Sequence, residues 1–330
     1  MGRLALLLAL VGGCATPRTH ARFVATLQPS AAPLPARAKI FLVAGGDDVA
    51  NFAAEVRAQR RFWLARGYAP DELACYWAPP TAAAFRADRA QYRELAAALR
   101  PCYRAAPALL RAHLEQAGRR APAFVYLYIT SHGRDGLGAG DVPEDRLLPG
   151  ERELLERFEI QVGPAVDAGA LVLAVRGGAD PDDLLFSPHA LQGLLRGLPA
   201  ATRKLVVLQA CHSGGFLADA RPGRGGETLA AVPGVTAIAS ARADRTSFGC
   251  DPGSTMTYFG EVYTRLLAAH AAGPRPLDAP ALDWPALFAA LSAEIARRER
   301  AVDVRPSLPL LLRTPPAGAE AEAPAAAPRP

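Results

Sequence analysis

The sequence FVYLYITSHG, residues 124–133, begins with an uninterrupted run of aromatic, aliphatic and β-branched residues and ends in a histidine and a glycine. A run of this length and composition predicts a strand over Phe124–Thr130 that is buried on both faces. A second segment, KLVVLQACHSGG at residues 204–215, follows the same plan: Leu205–Gln209 is an apolar run, and a cysteine comes soon after it. Both segments therefore place a chemically reactive side chain just after a predicted buried strand.

Strand-like and helix-like patterns alternate on either side of these two segments. Apolar runs predict further strands at Ile40–Ala44, Leu73–Trp77, Leu171–Val175 and Val235–Ser240. Helical spacing of apolar residues predicts helices at Val49–Trp63, Leu109–Ala117, Tyr258–His270 and Trp284–Arg298, and one that begins at a Ser187 cap and ends near Arg196. Buried strands separated by helices predict an α/β fold, a three-layer α/β/α sandwich with a mainly parallel central sheet.

In a sheet of this kind, sites form at the carboxyl ends of the strands. Neighbouring parallel strands would bring His132 and Cys211 to one edge, where the imidazole can form the thiolate and later return a proton. Gly133 and Gly214 allow the backbone to approach a substrate, and N–H groups there can hold an oxyanion. Singly, each residue is more often an inert core cysteine or a satisfied histidine, but the joint pattern is rare.

The residues around Cys211 resemble those of known cysteine peptidases. The tripeptide QAC at residues 209–211 is similar to the caspase nucleophile signature, and the CHSG sequence is the form seen in metacaspases. The closer resemblance is to the legumain family, through FLVAG at 41–45, ASARADRTSFGC at 239–250 and TYFGE at 257–261. This resemblance extends over residues 39–270, and it implies a caspase-like fold and cysteine endopeptidase activity.

The legumain resemblance implies a role for each residue that matches a family motif. Cys211 would be the nucleophile and His132 the general acid and base, while the N–H groups of Gly133 and Cys211 would form the oxyanion hole. Asn51 matches an asparagine that helps to orient the histidine; the alternative is an ordinary residue at the start of a helix. His212 stands where legumains have an acidic residue, and it would either tune the thiolate or face solvent.

The same resemblance assigns a specificity pocket. Its wall would contain Ser240, Thr246 and Ser247, and Glu261 would be its acidic residue, unless Glu261 is an ordinary solvent-facing helix glutamate. Legumains carry a basic pair after the asparagine–aromatic step, whereas this chain has Ala53–Ala54. The family resemblance implies asparagine as the residue before the cut. An acidic wall without a facing arginine favours a cationic partner, so arginine or lysine is the alternative.

Three functions remain open for these residues. A cysteine endopeptidase would attack a protein or peptide substrate through Cys211 and hydrolyse the acyl-enzyme with the help of His132. A transamidase would transfer the same acyl group to an amine. A catalytically silent lipoprotein binding module could use the fold without any chemistry, although a pure binder has no need of the cysteine and the histidine.

The first 14 residues are typical of an export signal. Arg3 precedes the apolar run Leu4–Val11, which is too short to span a bilayer, and the small residues before Cys14 resemble a bacterial lipoprotein signal. The alternative is an ordinary secretory signal with a chance cysteine. The lipoprotein hypothesis predicts lipidation of Cys14 and a membrane partner through that anchor. Because Ala15 is not aspartate, it also predicts a cell-envelope location, which in a Gram-negative host would be the outer membrane, facing the periplasm.

Composition suggests where the folded domain begins and ends. Ala15–Ala38 is rich in Pro, Ala and Thr and predicts a tether, and Pro316–Pro330 is an Ala/Pro/Glu tail with nothing to bury. The peptidase-like domain is therefore expected at residues 39–315. Arg134–Ala168 is predicted to be an insertion within it, because the distance between the histidine and the cysteine exceeds the roughly 50 residues expected in caspases.

Charge and cysteine content narrow the choice of partners. The net charge is +5, and the arginines are scattered between acidic residues without a basic stripe, so no nucleic-acid partner is expected. Cys211, His132 and His212 lack a fourth zinc ligand at a usual spacing, so neither a metal nor another cofactor is expected. Cys75 and Cys102 could pair in an oxidising compartment, or both could be small buried hydrophobic residues.

Overall fold

A computed structural model of the protein describes residues 33–46, 50–78, 89–134, 170–172, 185–217, 228–249, 254–271 and 277–318. The strands in these residues are β1 (Ile40–Ala44), β2 (Leu73–Trp77), β3 (Tyr103–Arg104), β4 (Phe124–Thr130), β5 (His132–Arg134), β6 (Ala170–Val172), β7 (Leu185–Phe186), β8 (Arg203–Gln209), β9 (Val235–Ala239) and β10 (Leu310–Arg313). The α-helices are α1 (Asn51–Ala65), α2 (Arg89–Ala98), α3 (Pro107–Arg119), α4 (Pro188–Arg196), α5 (Tyr258–His270) and α6 (Trp284–Ala301).

Seven of the strands form a central sheet in the order β10-β9-β8-β4-β1-β2-β3. All neighbours in this sheet are parallel except β10, which runs antiparallel to β9 at one edge. Strands β1 and β4 lie in the interior and are buried along their whole length. The mainly parallel sheet predicted from the apolar runs is confirmed.

Helices cover both faces of this sheet. On one face α1, α5 and α6 pack against the strands, and on the other face α3 and α4 do so. Strand β4 shows the division, because Tyr126 and Tyr128 join the first core while its alternate residues join the second, namely Val125, Leu127 and Ile129. The protein is therefore a three-layer α/β/α sandwich, as the alternation of strands and helices predicted.

The bounds of most predicted elements agree with the structure. Strands β1, β2 and β4 and helix α5 begin and end at the predicted residues. Ser187 caps α4, as predicted, by accepting a hydrogen bond from the Ala190 N–H at 3.2 Å. The sequence did not predict β10, a short and only partly buried strand that pairs with β9. Helix α2 and the two-residue strand β3 were not predicted either.

A second, three-stranded sheet begins shortly after the end of β4. Strand β5 begins at His132 and pairs antiparallel with β6, and β6 pairs antiparallel with β7. Strand β6 overlaps the strand predicted at Leu171–Val175 and begins one residue earlier. Phe186 of β7 is fully buried in the second core and ties this small sheet to the central one. Residues 135–168 of the predicted insertion lie outside the described residues.

The folded domain begins earlier than composition predicted. Leu34 and Ala38 are each 2% exposed and belong to the second core. The tether predicted at Ala15–Ala38 is therefore too long at its C-terminal end, because these apolar side chains find a place in the core. The predicted signal, residues 15–32, Cys250 and residues 319–330 lie outside the described residues. Among the described helices, none has the length and apolar character needed to cross a bilayer.

Cys75 and Cys102 form a disulfide. Cys75 lies in β2, and Cys102 follows α2, so the bridge ties the edge of the sheet to the chain that returns from this helix. The two cysteines are 27 positions apart in sequence. Among the described residues, Cys211 is the free cysteine. Of the two alternatives for Cys75 and Cys102, the structure contains the paired one.

Replacing Cys75 and Cys102 together by alanine is expected to lower the free energy of unfolding by about 2–4 kcal/mol, because the bridge restricts the unfolded chain. Urea unfolding of the full-length protein in detergent, without reducing agent, measures this loss. Cys211→Ala is the matched control, since it removes a thiol that forms no bridge. Equal unfolding free energies for the double variant and the wild type would show that the bridge does not stabilise the fold.

Candidate active site

The parallel pairing of β4 and β8 brings the two candidate catalytic segments together. Thr130 lies opposite Gln209 at the carboxyl ends of these strands. Beyond the ladder, the Ser131 N–H donates to the Gln209 carbonyl oxygen at 3.0 Å. The Thr130 hydroxyl also donates to the Gln209 side-chain oxygen at 2.7 Å. The two chains therefore leave the sheet side by side, with His132 and Cys211 each two residues further on.

Gly133 packs directly against the backbone of Cys211. A Cβ atom at Gly133 would overlap the Cys211 carbonyl oxygen, so only glycine permits this approach. The preceding residue, His132, contacts α1. Its ring packs edge-to-face against the Phe52 ring, with 5.1 Å between the ring centroids. The structure therefore brings the predicted histidine, glycine and cysteine to one edge of the sheet, as the strand pattern required.

The thiol of Cys211 is partly buried and is held by one neighbouring residue. The Ser247 N–H donates to Sγ at 3.4 Å, and Sγ lies 3.6 Å from the Ser247 carbonyl oxygen, to which the thiol can donate. Burial raises the pKa of the Cys211 thiol, whereas the N–H groups of Ser247 and of Cys211 itself act in the opposite direction. The resting sulfur is therefore favoured as the neutral thiol.

The turn after Cys211 is fastened to the segment that follows β9, residues 241–249. His212 has a φ of 60°, the left-handed conformation, and its N–H donates to the Arg245 carbonyl oxygen at 2.8 Å. Its ring Nδ1 lies 2.8 Å from the Ala243 carbonyl oxygen. The sequence left two roles open for His212, tuning the thiolate or facing solvent. In the structure its ring is half-buried, and the contact with Ala243 holds the turn in place.

Ser240 supports the same turn from below. Its hydroxyl accepts from the Ala210 N–H at 2.9 Å and donates to the Ala210 carbonyl oxygen at 3.0 Å. The residue is 1% exposed. The structure therefore corrects its predicted place in the pocket wall, because both bonding directions of the hydroxyl are taken by the backbone that precedes Cys211.

Two further residues that were predicted to line the pocket wall, Thr246 and Ser247, belong to the segment that contacts Cys211. Thr246 is exposed and Ser247 is half-buried. The Ser247 backbone holds the Cys211 sulfur, and its hydroxyl lies 3.5 Å from the Gln209 amide nitrogen. Ser247 therefore lies next to the thiol, and Thr246, the residue before it, is open to solvent.

Glu261 forms an ion pair with an arginine. Arg298 of α6 donates to both of its carboxylate oxygens, at 2.8 and 3.0 Å. This guanidinium holds the pKa of Glu261 below its usual range, and the Glu261 side chain is 52% exposed. The expectation of an acidic wall without a facing arginine is corrected, since Arg298, 37 positions further along the chain, pairs with Glu261.

Asn51 contacts the segment after β9. Its side-chain N–H donates to the Gly249 carbonyl oxygen at 2.7 Å, and the residue is 4% exposed. Phe52, its neighbour, provides the recorded contact with the ring of His132. Asn51 is therefore more than an ordinary helix-start residue, because it ties the start of α1 to the chain beside Cys211.

The rim beside the Cys211 turn is rich in arginine. Asp244 lies at its centre and is contacted by three guanidinium groups, those of Arg242 at 2.5 Å, Arg245 at 3.6 Å and Arg305 at 3.7 Å. The hydrogen bond from Arg242 is the main reason that the pKa of Asp244 falls to about 2. Three cations around one carboxylate leave this rim with a positive balance.

Sequence reasoning missed the buried acid Glu55 of α1, which lies near the candidate site. It is fully buried and accepts hydrogen bonds from Thr257 and Tyr128. The signal was present, because Glu55 falls beside Phe52 and Val56 on the apolar stripe of the predicted helix. A glutamate on the buried face of an amphipathic helix is rare unless its carboxylate has dedicated partners.

Comparisons with known proteins give similarity in structure and none in sequence. No protein-family model matches the chain, and no curated protein matches it. Caspase-1 from Spodoptera frugiperda is similar in structure, with 11% identity, a TM-score of 0.46, and coverage of 86% of this chain and 91% of that one. A protein from Geobacter sulfurreducens is similar with 13% identity, a TM-score of 0.46, and coverage of 84% and 92%. The legumain resemblance therefore stays an expectation from the sequence.

Gly133→Ala is expected to separate the two candidate catalytic segments. The added Cβ would overlap the Cys211 carbonyl oxygen, so we expect a loss of about 1–3 kcal/mol in unfolding free energy and a fall in the rate of iodoacetamide labelling of Cys211. Mass spectrometry of the labelled peptide measures the rate. Gly193→Ala on α4 is the control, because its Cβ meets nothing within 4 Å. Wild-type labelling in both variants would contradict the close packing.

Proposed function

We propose that the protein is a cysteine peptidase that cleaves peptide bonds through Cys211 and His132. The observation that carries this proposal is the packing of Gly133 against the Cys211 carbonyl at the ends of two register-matched strands. A free thiol and an imidazole at one sheet edge are the minimum set for nucleophilic attack on a carbonyl with proton transfer. The α/β/α fold and its structural similarity to caspase-1 are in keeping with it but do not carry it.

The first half of the proposed reaction forms an acyl-enzyme. The Cys211 thiol gives its proton to His132 while the sulfur attacks the carbonyl carbon, and the π electrons of the carbonyl move onto its oxygen. The N–H groups of Gly133 and Cys211 would hold that oxyanion. When the carbonyl reforms, the C–N bond breaks, the imidazolium protonates the leaving amine, and a thioester remains on Cys211.

The second half of the reaction returns the enzyme to its starting state. Water attacks the thioester carbon while His132 accepts a proton from it, the C–S bond breaks, and the proton goes back to the sulfur as the acid leaves. Because burial raises the pKa of Cys211, the proton transfer to His132 belongs to the attack and does not precede it. An amine that takes the place of water would make the same acyl-enzyme a transamidase.

Specificity for a neutral side chain before the cut fits the charges beside the site better than specificity for a cation. Glu261 is neutralised by Arg298, which removes the reason to expect arginine or lysine. The arginine-rich rim around Asp244 would repel a cationic substrate residue. Asparagine, the preference that the legumain resemblance implies, is therefore the proposed residue.

We propose further that the chain is exported and anchored to the outer membrane, facing the periplasm, through lipid on Cys14. The Cys75–Cys102 bridge supports export, because disulfides persist in oxidising compartments. The anchor would place the peptidase domain within reach of envelope proteins, with the chain before residue 33 as its tether.

Cleavage of a mixed peptide library by the full-length protein in detergent, under conditions that keep Cys211 reduced, tests the peptidase proposal. We expect cuts that follow asparagine, no cuts with Cys211→Ala, and a rate lower by about 10²–10⁴-fold with His132→Ala, which loses the acid–base group. His189→Ala is the matched control, an exposed histidine on α4. Mass spectrometry reads the cut positions.

Each other outcome of this experiment has a definite meaning. Products joined to an added amine, in place of acids, would identify a transamidase. Cuts after arginine or lysine would overturn the neutral pocket. No cleavage by the wild type, with no labelling of Cys211 by an acyl-type thiol probe, would overturn the catalytic proposal and leave a binding module.

Lipidation is tested by the partition of the protein between membrane and soluble fractions of a Gram-negative host. We expect the wild type in the membrane fraction and Cys14→Ser in the soluble periplasmic fraction, because serine lacks the thiol that carries the lipid. Cys211→Ala, which changes a cysteine far from the signal, should remain with the membrane. A soluble wild type would overturn the anchor.

A further inference from the structure

Glu55 is a buried carboxylate whose recorded partners carry no positive charge. It is 0% exposed. The Thr257 N–H donates to one carboxylate oxygen at 2.8 Å and the Thr257 hydroxyl to the same oxygen at 2.6 Å, while the Tyr128 hydroxyl donates to the other at 2.8 Å. Burial raises the pKa of Glu55, and the hydrogen bonds from Thr257, Thr130 and Tyr128 act against that shift.

The surrounding chain is shaped to hold this carboxyl group. Gly260 of α5 faces it, and a Cβ atom there would overlap the Glu55 carboxyl. A glycine within a helix lowers stability by about 1 kcal/mol relative to alanine, so its presence needs a local reason. Here the reason is space, since α5 could not otherwise come close enough for Thr257 to donate both of its hydrogen bonds to Glu55.

Two of the elements that meet at Glu55 lead to His132. Tyr128 belongs to β4, the strand that runs through Thr130 into His132. Glu55 itself belongs to α1, and Phe52, one turn earlier on this helix, contacts the His132 ring. A fixed distance between α1 and β4 therefore fixes the ring of His132 against the strand that carries it.

The third element leads to the sulfur of Cys211. Thr257 caps α5, and the next residue, Tyr258, donates its N–H to the Phe248 carbonyl oxygen at 3.1 Å. Phe248 follows Ser247, whose backbone holds Sγ of Cys211. The start of α5 therefore positions the segment on which the thiol rests.

We propose that Glu55 is a positioning residue of the active site. It ties β4 and α1, the strand and helix that hold His132, to α5, the helix that positions the segment beside the Cys211 thiol. Glu55 touches neither the candidate nucleophile nor the candidate base in the recorded contacts, and it acts through Tyr128, Phe52 and Thr257. This inference rests on the proposed function for its catalytic meaning, although the geometry that it describes does not.

The test is the pH profile of Cys211 alkylation by iodoacetamide, followed by mass spectrometry in the full-length protein. Glu55→Gln keeps the shape of the side chain, but its amide group turns a donor towards groups that donate to Glu55. We expect the alkylation rate near neutral pH to fall about tenfold and the profile to move to higher pH, because Ser247 loses its fixed place beside the sulfur and His132 loses its fixed place at the end of the neighbouring strand. Gly260→Ala should move the profile in the same direction.

Two variants control for a general loss of stability. Tyr126→Phe removes a buried hydroxyl from the same core, one that bonds Tyr263 and Gln59 and not Glu55, and Gly193→Ala adds a methyl group to a helix where nothing lies within 4 Å. Both should keep the wild-type alkylation profile, whatever their melting temperatures. Tyr128→Phe removes one donor to Glu55 and should give a smaller shift than Glu55→Gln.

The outcomes separate this inference from the proposed function. A lower melting temperature for Glu55→Gln with an unmoved alkylation profile would make Glu55 a structural residue and overturn the inference. If Glu55→Gln does not fold, Gly260→Ala and Tyr128→Phe decide by the same criterion. Peptide cleavage by the wild type with unshifted variants rejects the positioning role alone. If the variants shift the alkylation profile but the wild type cleaves no peptide, only the peptidase proposal is rejected.

Discussion

The parallel register of β4 against β8 is the constraint on which the candidate site depends. Thr130 lies opposite Gln209, and each chain then needs two further residues to reach His132 and Cys211. A slip of one residue would turn every side chain of β4 to the other face of the sheet. It would also move the histidine away from the cysteine, so the site exists only in the observed register.

Apolar burial alone would fix this register poorly, because β4 is buried on both faces. The aromatic hydroxyl groups make the two faces different. Tyr126 and Tyr128 place their hydroxyls in the core under α1 and α5, where they bond Tyr263 and Glu55. In the slipped register those hydroxyls would enter the other core, away from Tyr263 and Glu55, and each hydroxyl left without a partner there would cost about 1–3 kcal/mol. Buried polar groups therefore give the strand its register.

The residues on these strands could be read from the sequence, whereas the pocket residues could not. The strand ends depend on local runs of apolar residues and on the rule that parallel strands end at one edge, so the apposition of His132 and Cys211 was within reach. The contacts of Ser240 and Glu261 depend instead on residues that lie far away in the sequence. Ser240 turned inward because Ala210 offered two backbone groups, and Glu261 was met by an arginine from a distant helix.

Strand β10 was missed for a related reason, since a short, half-exposed edge strand has too few apolar residues to give a pattern.

The segment at residues 241–249 is held almost entirely through its backbone. Its carbonyl groups accept from the N–H groups of His212, Gly214 and Tyr258, and its Arg242 N–H donates to Ser307. Because these bonds use main-chain atoms, they do not depend on the side chain at an exposed position of the segment such as Thr246. In the proposed peptidase, the exposed side chain of Thr246 would be free to meet a substrate without displacing the thiol. Such a scaffold would separate the geometry of the proposed attack, which the backbone sets, from specificity, which side chains at the surface set.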